Sequence, residues 1–294
     1  MADSVVYIWW LAARPKTLWA AAAPVVIGTA MAFADGGGVW LPAVVALFGA
    51  VMIQVGTNFA NDYFDYKSGV DKHDRLGPIR VTQSGLVKPE AMKRATAIAF
   101  SLATIAGVYL VWRGGWPIAL IGIVSITCGV LYTAGPFPLG YKGLGDLFVL
   151  IFFGPVAVGG TYYVQTMAMD TTVLSAALAP GLFSVAILTV NNLRDIDSDR
   201  AAGKKTLAVR FGRPFSRLEY LVSIVAASSV PALLYIVNGQ HPWAMLTLIV
   251  PVVAVPVIRR VFTSREGPPL NDALAATGKL LLLYSVLFSI GWLA

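Results

Sequence analysis

Two short stretches of this chain carry acids and amides at spacings that a helix would stack. The first reads Asn58-Phe-Ala-Asn61-Asp62-Tyr-Phe-Asp65 and runs on through Lys67, Asp71, Asp74 and Arg75. The second reads Asn191-Asn192-Leu-Arg194-Asp195-Ile-Asp197-Ser-Asp199-Arg200, and together the two hold seven of the 15 acids. Asn191, Asp195 and Asp199 fall at i, i+4 and i+8, and Asn58 with Asp62 at i and i+4, so each set lies on one face of a helix. Asn61 and Asp65 make a second i, i+4 pair one step round. Like charges stacked at a helix C-terminus oppose the helix dipole, so something cationic is expected among them. The donors are carboxylate and amide oxygens, and the chain has only two histidines, His73 and His241. Such a set suits a hard ion, Mg2+ before Zn2+.

The elements that carry these stretches are apolar. Of 294 residues 57% are hydrophobic and 13% charged, with a mean hydropathy of +0.72, whereas soluble domains carry roughly 25% charged residues. That excludes a water-soluble domain and a disordered chain, and the single cysteine, Cys128, excludes a disulfide scaffold. The net charge of +7 comes without a basic helix interleaved with aromatics, so nucleic acid is not an expected partner. A hydrocarbon core about 30 Å thick needs roughly 20 apolar residues of helix. Nine runs qualify: 18–34, 40–60, 95–112, 116–133, 147–165, 173–190, 218–237, 243–258 and 274–294. They are continuous rather than alternating, which predicts helices and not a β-barrel. Trp40, Trp116 and Trp243 open three of them at interfacial positions, and the eighth is short and holds Pro251 and Pro256. No small-residue cleavage site follows the first run, so a removable signal peptide is not expected.

With nine spans, 21 of the 22 lysines and arginines fall on the side of the N-terminus, Lys279 near the start of the ninth run among them, and Arg113 alone falls on the other. The positive-inside rule then predicts a multi-pass protein of the cytoplasmic membrane with the N-terminus inside and the C-terminus outside. The acidic stretches close the second and sixth runs on that same inner side, 133 residues and four spans apart. This spacing predicts a duplicated four-helix unit with a ninth helix added, in one integral-membrane domain over 1–294.

Acids alone repel a phosphate, but a dication held by acids, with Lys67, Arg75, Arg80, Arg194, Arg200, Lys204, Lys205 and Arg210 beside it, binds one tightly. The expected ligand is a diphosphate at the membrane surface with an apolar tail, and an isoprenyl diphosphate meets both conditions. The glycine-rich 140–145 follows no strand and reads as a tight connection between the fourth and fifth spans. Gly154, Gly159 and Gly160 read as close helix packing, and Tyr132, Tyr162 and Tyr163 are candidates to line a cavity.

Asn61-Asp-Tyr-Phe-Asp65 with Asn191-Asn-Leu-Arg-Asp195-Ile-Asp-Ser-Asp199 resembles the paired Asp-rich motifs of the UbiA superfamily of intramembrane aromatic prenyltransferases. Arg14-Pro-Lys-Thr-Leu18, Asp71-Lys-His-Asp-Arg-Leu-Gly-Pro78, Tyr141-Lys-Gly-Leu-Gly-Asp146 and Gly203-Lys-Lys-Thr-Leu-Ala-Val-Arg210 resemble its branch that prenylates 1,4-dihydroxy-2-naphthoate. The resemblance implies an all-α fold of nine transmembrane helices around a central cavity open to lipid, with a cytoplasmic cap. It implies transfer of a polyprenyl chain from polyprenyl diphosphate to 1,4-dihydroxy-2-naphthoate with loss of CO2, giving demethylmenaquinone. It implies Mg2+ held by Asn58, Asp62, Asp65, Asn191, Asp195 and Asp199, the four Asp acting in catalysis. The acid the family places four residues after Asp65 is Gly69 here, and the resemblance gives that role to Asp71. Substrate contacts fall to Arg14, Asn58, Asn61, Lys67, Arg75, Arg80, Lys142, Asn191, Asn192, Lys205 and Arg210. The competing readings are another aromatic acceptor, such as 4-hydroxybenzoate or homogentisate, and a transporter. Acids at the surface rather than at the midplane argue against the transporter.

Overall fold

The computed structural model describes residues 4–69, 77, 79–136, 138–265 and 267–294, and among them it is helical without a strand. The helices are α1 (Val5–Ala13), α2 (Pro15–Ala34), α3 (Trp40–Ser68), α4 (Pro89–Gly114), α5 (Trp116–Leu131), α6 (Gly145–Thr166), α7 (Thr171–Arg194), α8 (Ile196–Ala201), α9 (Leu207–Asn238), α10 (Pro242–Thr263) and α11 (Pro268–Leu293). Eight of them (α2, α3, α4, α6, α7, α9, α10 and α11) are long and apolar enough to cross a membrane. The run predicted over 116–133 forms the shorter helix α5, 16 residues or about 24 Å at 1.5 Å per residue. It stops there because Gly135, at φ 85°, and Pro136 turn the chain away.

The charge partition reappears as two faces. Among the described residues Arg113 is the lone basic residue of one face, where its guanidinium caps the end of α6 through the carbonyls of Val164 (2.5 Å) and Gln165 (3.2 Å). Gln165 there also accepts the Val39 N–H, and Tyr162 donates to Asp35 at 2.6 Å. The opposite face gathers the 195–206 loop, the start of α9 and the 264–267 connection, where Arg213 donates to Asp197 and to the Arg265 carbonyl.

α2 runs through the middle, against α3, α6, α7 and α11. The main core lies on its far side, where Ile27 and Met31 meet Phe183 and Val190 of α7, Tyr220 and Ile224 of α9, and Tyr284 and Phe288 of α11. α4 and α5 form the outer wall of the other half and expose Ile105, Val108, Trp112 and Ile123, as lipid-facing helices do. α1 lies over the charged ends of α3 and α4, with Trp9 edge-on to Phe59 at 5.6 Å, and a left-handed Arg14 (φ 53°) turns it into α2.

α6 is broken midway. Wide turns occupy Phe152–Gly159, with Gly154 at φ −104°, ψ −109° and Pro155 lacking the next N–H. The break lies where α6 crosses α7 at glycine-to-glycine distance. A Cβ on Gly154 would stand 2.7 Å from the Ala177 carbonyl oxygen, and one on Gly181 would stand 2.6 Å from that of Leu150. Both clashes are with backbone, so no side-chain rotation relieves them. Gly159 and Gly160 face only side chains. Gly181→Val is therefore expected to cost about 2 kcal/mol or more. The control Gly107→Ala, with nothing within 4 Å of its added carbon, is expected to stay within about 1 kcal/mol of the parent; thermal unfolding in detergent micelles compares the two.

Candidate active site

A cavity of about 650 Å³ runs between α2, α3, α4, α5 and α6. Its walls are small or aliphatic along most of their length, with Ala46, Gly49, Ala50, Ala103, Gly107 and Gly122 leaving the room that larger side chains would fill. Its charged end is built from both acidic stretches: Asn58, Asn61 and Asp65 from α3, Asn191 and Asn192 from α7, and Asp195 and Asp199 just beyond it, with Arg14, Arg80 and Lys204 between them.

On the α3 side the helix continues unbroken to Ser68 and ends at Gly69, whose left-handed φ of 66° lets its N–H reach the carbonyls of Asp65 and Tyr66. Asp65 is 2% exposed, pairs with the Arg80 guanidinium and accepts a 2.6 Å hydrogen bond from the Tyr141 hydroxyl. Asp62 points elsewhere: its two oxygens accept the N–H groups of Val81 and Thr82, both at 3.2 Å, and hold the returning loop against α3. Asn58 donates to the Ala13 carbonyl (2.9 Å) and to Thr17, tying the α1–α2 corner to the site, and Asn61 accepts from Thr133.

On the α7 side the predicted continuous helix is corrected. α7 ends at Arg194, Asp195 sits at φ −94°, ψ 9°, and the short α8 begins at Ile196. The i→i+4 bonds from Asp195 N–H to Asn191 and from Asp199 N–H to Asp195 survive the break, at 3.1 and 2.8 Å, so the three residues keep nearly their helical register. Arg194 stands at the break. Its guanidinium, 2% exposed, takes Asp195 in a fork (2.8 and 2.6 Å) and also donates to Asn191 (2.8 Å) and to Asn271 of α11 (2.9 Å). Such a planar fork satisfies several buried acceptors at once.

Asp199 pairs with Lys204 at 3.0 Å, and the same ammonium lies 4.6 Å from the centre of the Tyr141 ring. Tyr141 thus joins the halves, its hydroxyl on Asp65 and its ring under Lys204. The residues around it explain how it is held. Lys205 N–H donates to the Tyr141 carbonyl (2.8 Å) and the Arg210 guanidinium to the Lys142 carbonyl (2.7 Å). Gly143 (φ 77°) brings the loop so close that a Cβ there would be 2.6 Å from the Lys205 carbonyl oxygen. The side chains of Lys67, Lys142, Lys205 and Arg210 are exposed and do not line the cavity. Asp71 and Arg75 lie outside the described residues. Tyr132 lines the cavity near the same end.

With this geometry the comparisons agree. A model described as "UbiA prenyltransferase family" matches residues 21–291. The chain belongs to the UbiA prenyltransferase family. It is similar to 1,4-dihydroxy-2-naphthoate octaprenyltransferases of Haemophilus influenzae (36% identity over 100% of this chain and 98% of that one) and Mycobacterium tuberculosis (39%, over 95% and 94%). Among solved structures, a UbiA homolog from Archaeoglobus fulgidus bound to GPP and Mg2+ superposes with TM-score 0.69 at 15% identity, covering 97% of this chain and 99% of that one. An apo UbiA homolog from Aeropyrum pernix K1 gives 0.69 at 17%, over 95% and 97%.

Within this UbiA fold the donors at the cavity mouth are oxygens only, which fits a hard dication, although among the described residues no three His, Cys, Asp or Glu side chains converge closely enough to hold an ion. The three carboxylates instead face the chain's own cations. Sequence reasoning put Arg194 and Lys204 among general basic charge and gave Tyr141 no role. Asn271, 77 residues from Arg194, has no local signal at all. Removing one partner of a buried pair strands the other. Arg194→Met is therefore expected to lower stability by about 3–5 kcal/mol, and the double variant Arg194→Met/Asp195→Asn to recover part of the loss, as read by thermal unfolding in micelles.

Proposed function

We propose that this chain transfers a polyprenyl group from polyprenyl diphosphate to 1,4-dihydroxy-2-naphthoate, releasing CO2 and diphosphate and giving the quinol form of demethylmenaquinone, at the oxidation level of the acceptor, for menaquinone synthesis. The observation that carries this reading is one cavity whose charged mouth both acidic stretches build and whose body is apolar. It accommodates the two halves of a prenyl diphosphate in one space. The full-length similarity to 1,4-dihydroxy-2-naphthoate octaprenyltransferases supports the acceptor. The protein is a multi-pass membrane protein, and its lopsided Lys and Arg distribution supports a cytoplasmic charged face and N-terminus. We read 1–294 as a single domain.

Asp65, Asp195 and Asp199, with the amide oxygens of Asn58 and Asn191, are the residues that would hold Mg2+, with Asp62 and Asp71 as further family positions. Bound there, Mg2+ supplies positive charge to the diphosphate leaving group. The chain's own cations act on the same charge: Arg14, Arg80 and Lys204 line the mouth where the bridging oxygen turns anionic as the allylic C–O bond breaks. Tyr132 adds a neutral hydrogen-bond donor at that end. The allylic cation left behind survives only away from water, and Phe148 and Phe152, stacked at 6.0 Å, line the cavity deeper in. The acceptor's electron-rich ring carbon then forms the new C–C bond. The bond to its carboxylate breaks as CO2 leaves, and that electron pair restores the aromatic ring, so the ring carbon needs no base.

Membranes holding the protein, given 1,4-dihydroxy-2-naphthoate, a polyprenyl diphosphate and Mg2+, are expected to yield demethylmenaquinol, read by mass as the quinone after oxidation in air, and EDTA to abolish it. Asp65→Ala and Asp199→Ala are each expected to lower kcat by about 100-fold or more. Product with 4-hydroxybenzoate or homogentisate, and none with the naphthoate, would overturn the acceptor; full turnover by both variants would overturn the site.

A further inference from the structure

α1, read Val-Val-Tyr-Ile-Trp-Trp-Leu-Ala-Ala, carries no charge on any face. One side packs on the bundle, where Ile8, Leu11 and Ala12 join Phe59, Val87 and Met92 at the charged ends of α3 and α4. The other side is uncovered, with Val6 79% and Trp10 55% exposed and Val5 and Tyr7 beside them. A bare apolar face at the ends of membrane-spanning helices lies at the depth where headgroups give way to acyl chains, a place that lipid covers. Between Trp9 and the first turns of α4 runs a groove of about 430 Å³. Ala91, Ala95 and Ile98 line it at i, i+4 and i+7, and the same stripe continues down α4 through the exposed Leu102 and Ile105. Lys88 and Arg94 give it a basic rim, with Glu90 as its one acid. Among the described residues no ion pair or hydrogen bond engages these three side chains.

Over about 15 Å of α4 the groove thus passes from charged to aliphatic, the order of a phospholipid from headgroup to chain. We propose that it binds one anionic phospholipid of the adjoining leaflet, with the phosphate at Lys88 and Arg94 and an acyl chain along Ala91, Ala95 and Ile98 against Trp9. A phosphodiester suits the fork of Arg94 and the ammonium of Lys88. A free phosphate would leave the apolar stripe bare, and a zwitterionic lipid would bring its own cation to a basic rim. The groove lies apart from the central cavity but bears on it. α1 turns into α2 at Arg14, and Asn58 holds its last carbonyl, that of Ala13, at 2.9 Å. A lipid that seats α1 therefore steadies one corner of the cavity mouth.

Native mass spectrometry of the purified protein, titrated in detergent micelles with phosphatidylglycerol or phosphatidylcholine of the same chains, counts bound lipids and copies of the chain together. Phosphatidylglycerol is expected to fill one saturable site about 10-fold more tightly than phosphatidylcholine. Lys88→Gln and Arg94→Gln are each expected to weaken it about 5-fold and to leave phosphatidylcholine unchanged. Lys93→Gln, exposed on the same turn of α4 but outside the groove, is expected to stay within about 2-fold of the parent, since solvent screens a charge there. Equal losses from all three variants would reduce the effect to diffuse surface charge and overturn the site. Phosphatidylglycerol bound no more tightly than phosphatidylcholine would overturn it as well. Displacement of the lipid by inorganic phosphate would give the rim to a free anion, and a dimer in place of bound lipid would give the groove to a second copy; either overturns the proposal. The two titrations of the parent decide the matter even if a variant does not fold.

Discussion

A carboxylate at the rim of an apolar bundle costs several kcal/mol unless a cation meets it, and this requirement organises the loops as well as the site. Asp65 draws in Arg80 and with it the segment that returns from α3 to α4, whose backbone Asp62 then pins at Val81 and Thr82. Asp199 draws in Lys204 and so sets where α9 begins. Asp195 holds Arg194, which in turn reaches across to Asn271 and secures the last helix, α11, to α7. The loops that close the cavity are thus placed by the charges beneath them, and the helices supply the positions of those charges.

The cavity exists for a complementary reason. α7 is buried along much of its length and α4 along little of it, so the chain invests its packing in the half around α2, α7, α9 and α11. The other half is a thin wall faced with alanine and glycine on the inside. The large side chains Phe183, Tyr220, Tyr284 and Phe288 pack in the first of these halves. The close contact of α6 with α7, through Gly154 and Gly181, keeps the two halves together at the point where α6 loses its regular turn.

Features that depend on local periodicity or composition were legible in the sequence. Each of the nine apolar runs contains a helix, the acidic stretches stand at helix ends on one face, and Arg113 stands apart on the other. Asn58, Asn61, Asp65, Asn191, Asn192, Asp195 and Asp199 meet at one cavity as their spacing implies. What was not legible depends on partners distant in sequence. Asp62 has the same helical spacing as its neighbours, yet turns to a backbone some 20 residues on. The helix containing Asn191 reads as continuous through Asp199 until the Arg194 fork is seen. Lys142, Lys205 and Arg210 read as phosphate ligands because they are basic and near the motifs. In the structure Arg210 and the backbone of the other two hold the loop that carries a tyrosine.

That tyrosine has a mechanical meaning. Two sides of a helical bundle are free to rock against each other only where nothing spans them, and such rocking is how an alternating-access carrier works. Tyr141 bonds Asp65 of the first half while its ring supports Lys204 of the second. Swinging the halves apart at this end would break both contacts at once and uncover two acids. The bundle is therefore stapled across its charged mouth, as suits a vessel that must stay dry while bonds change inside it.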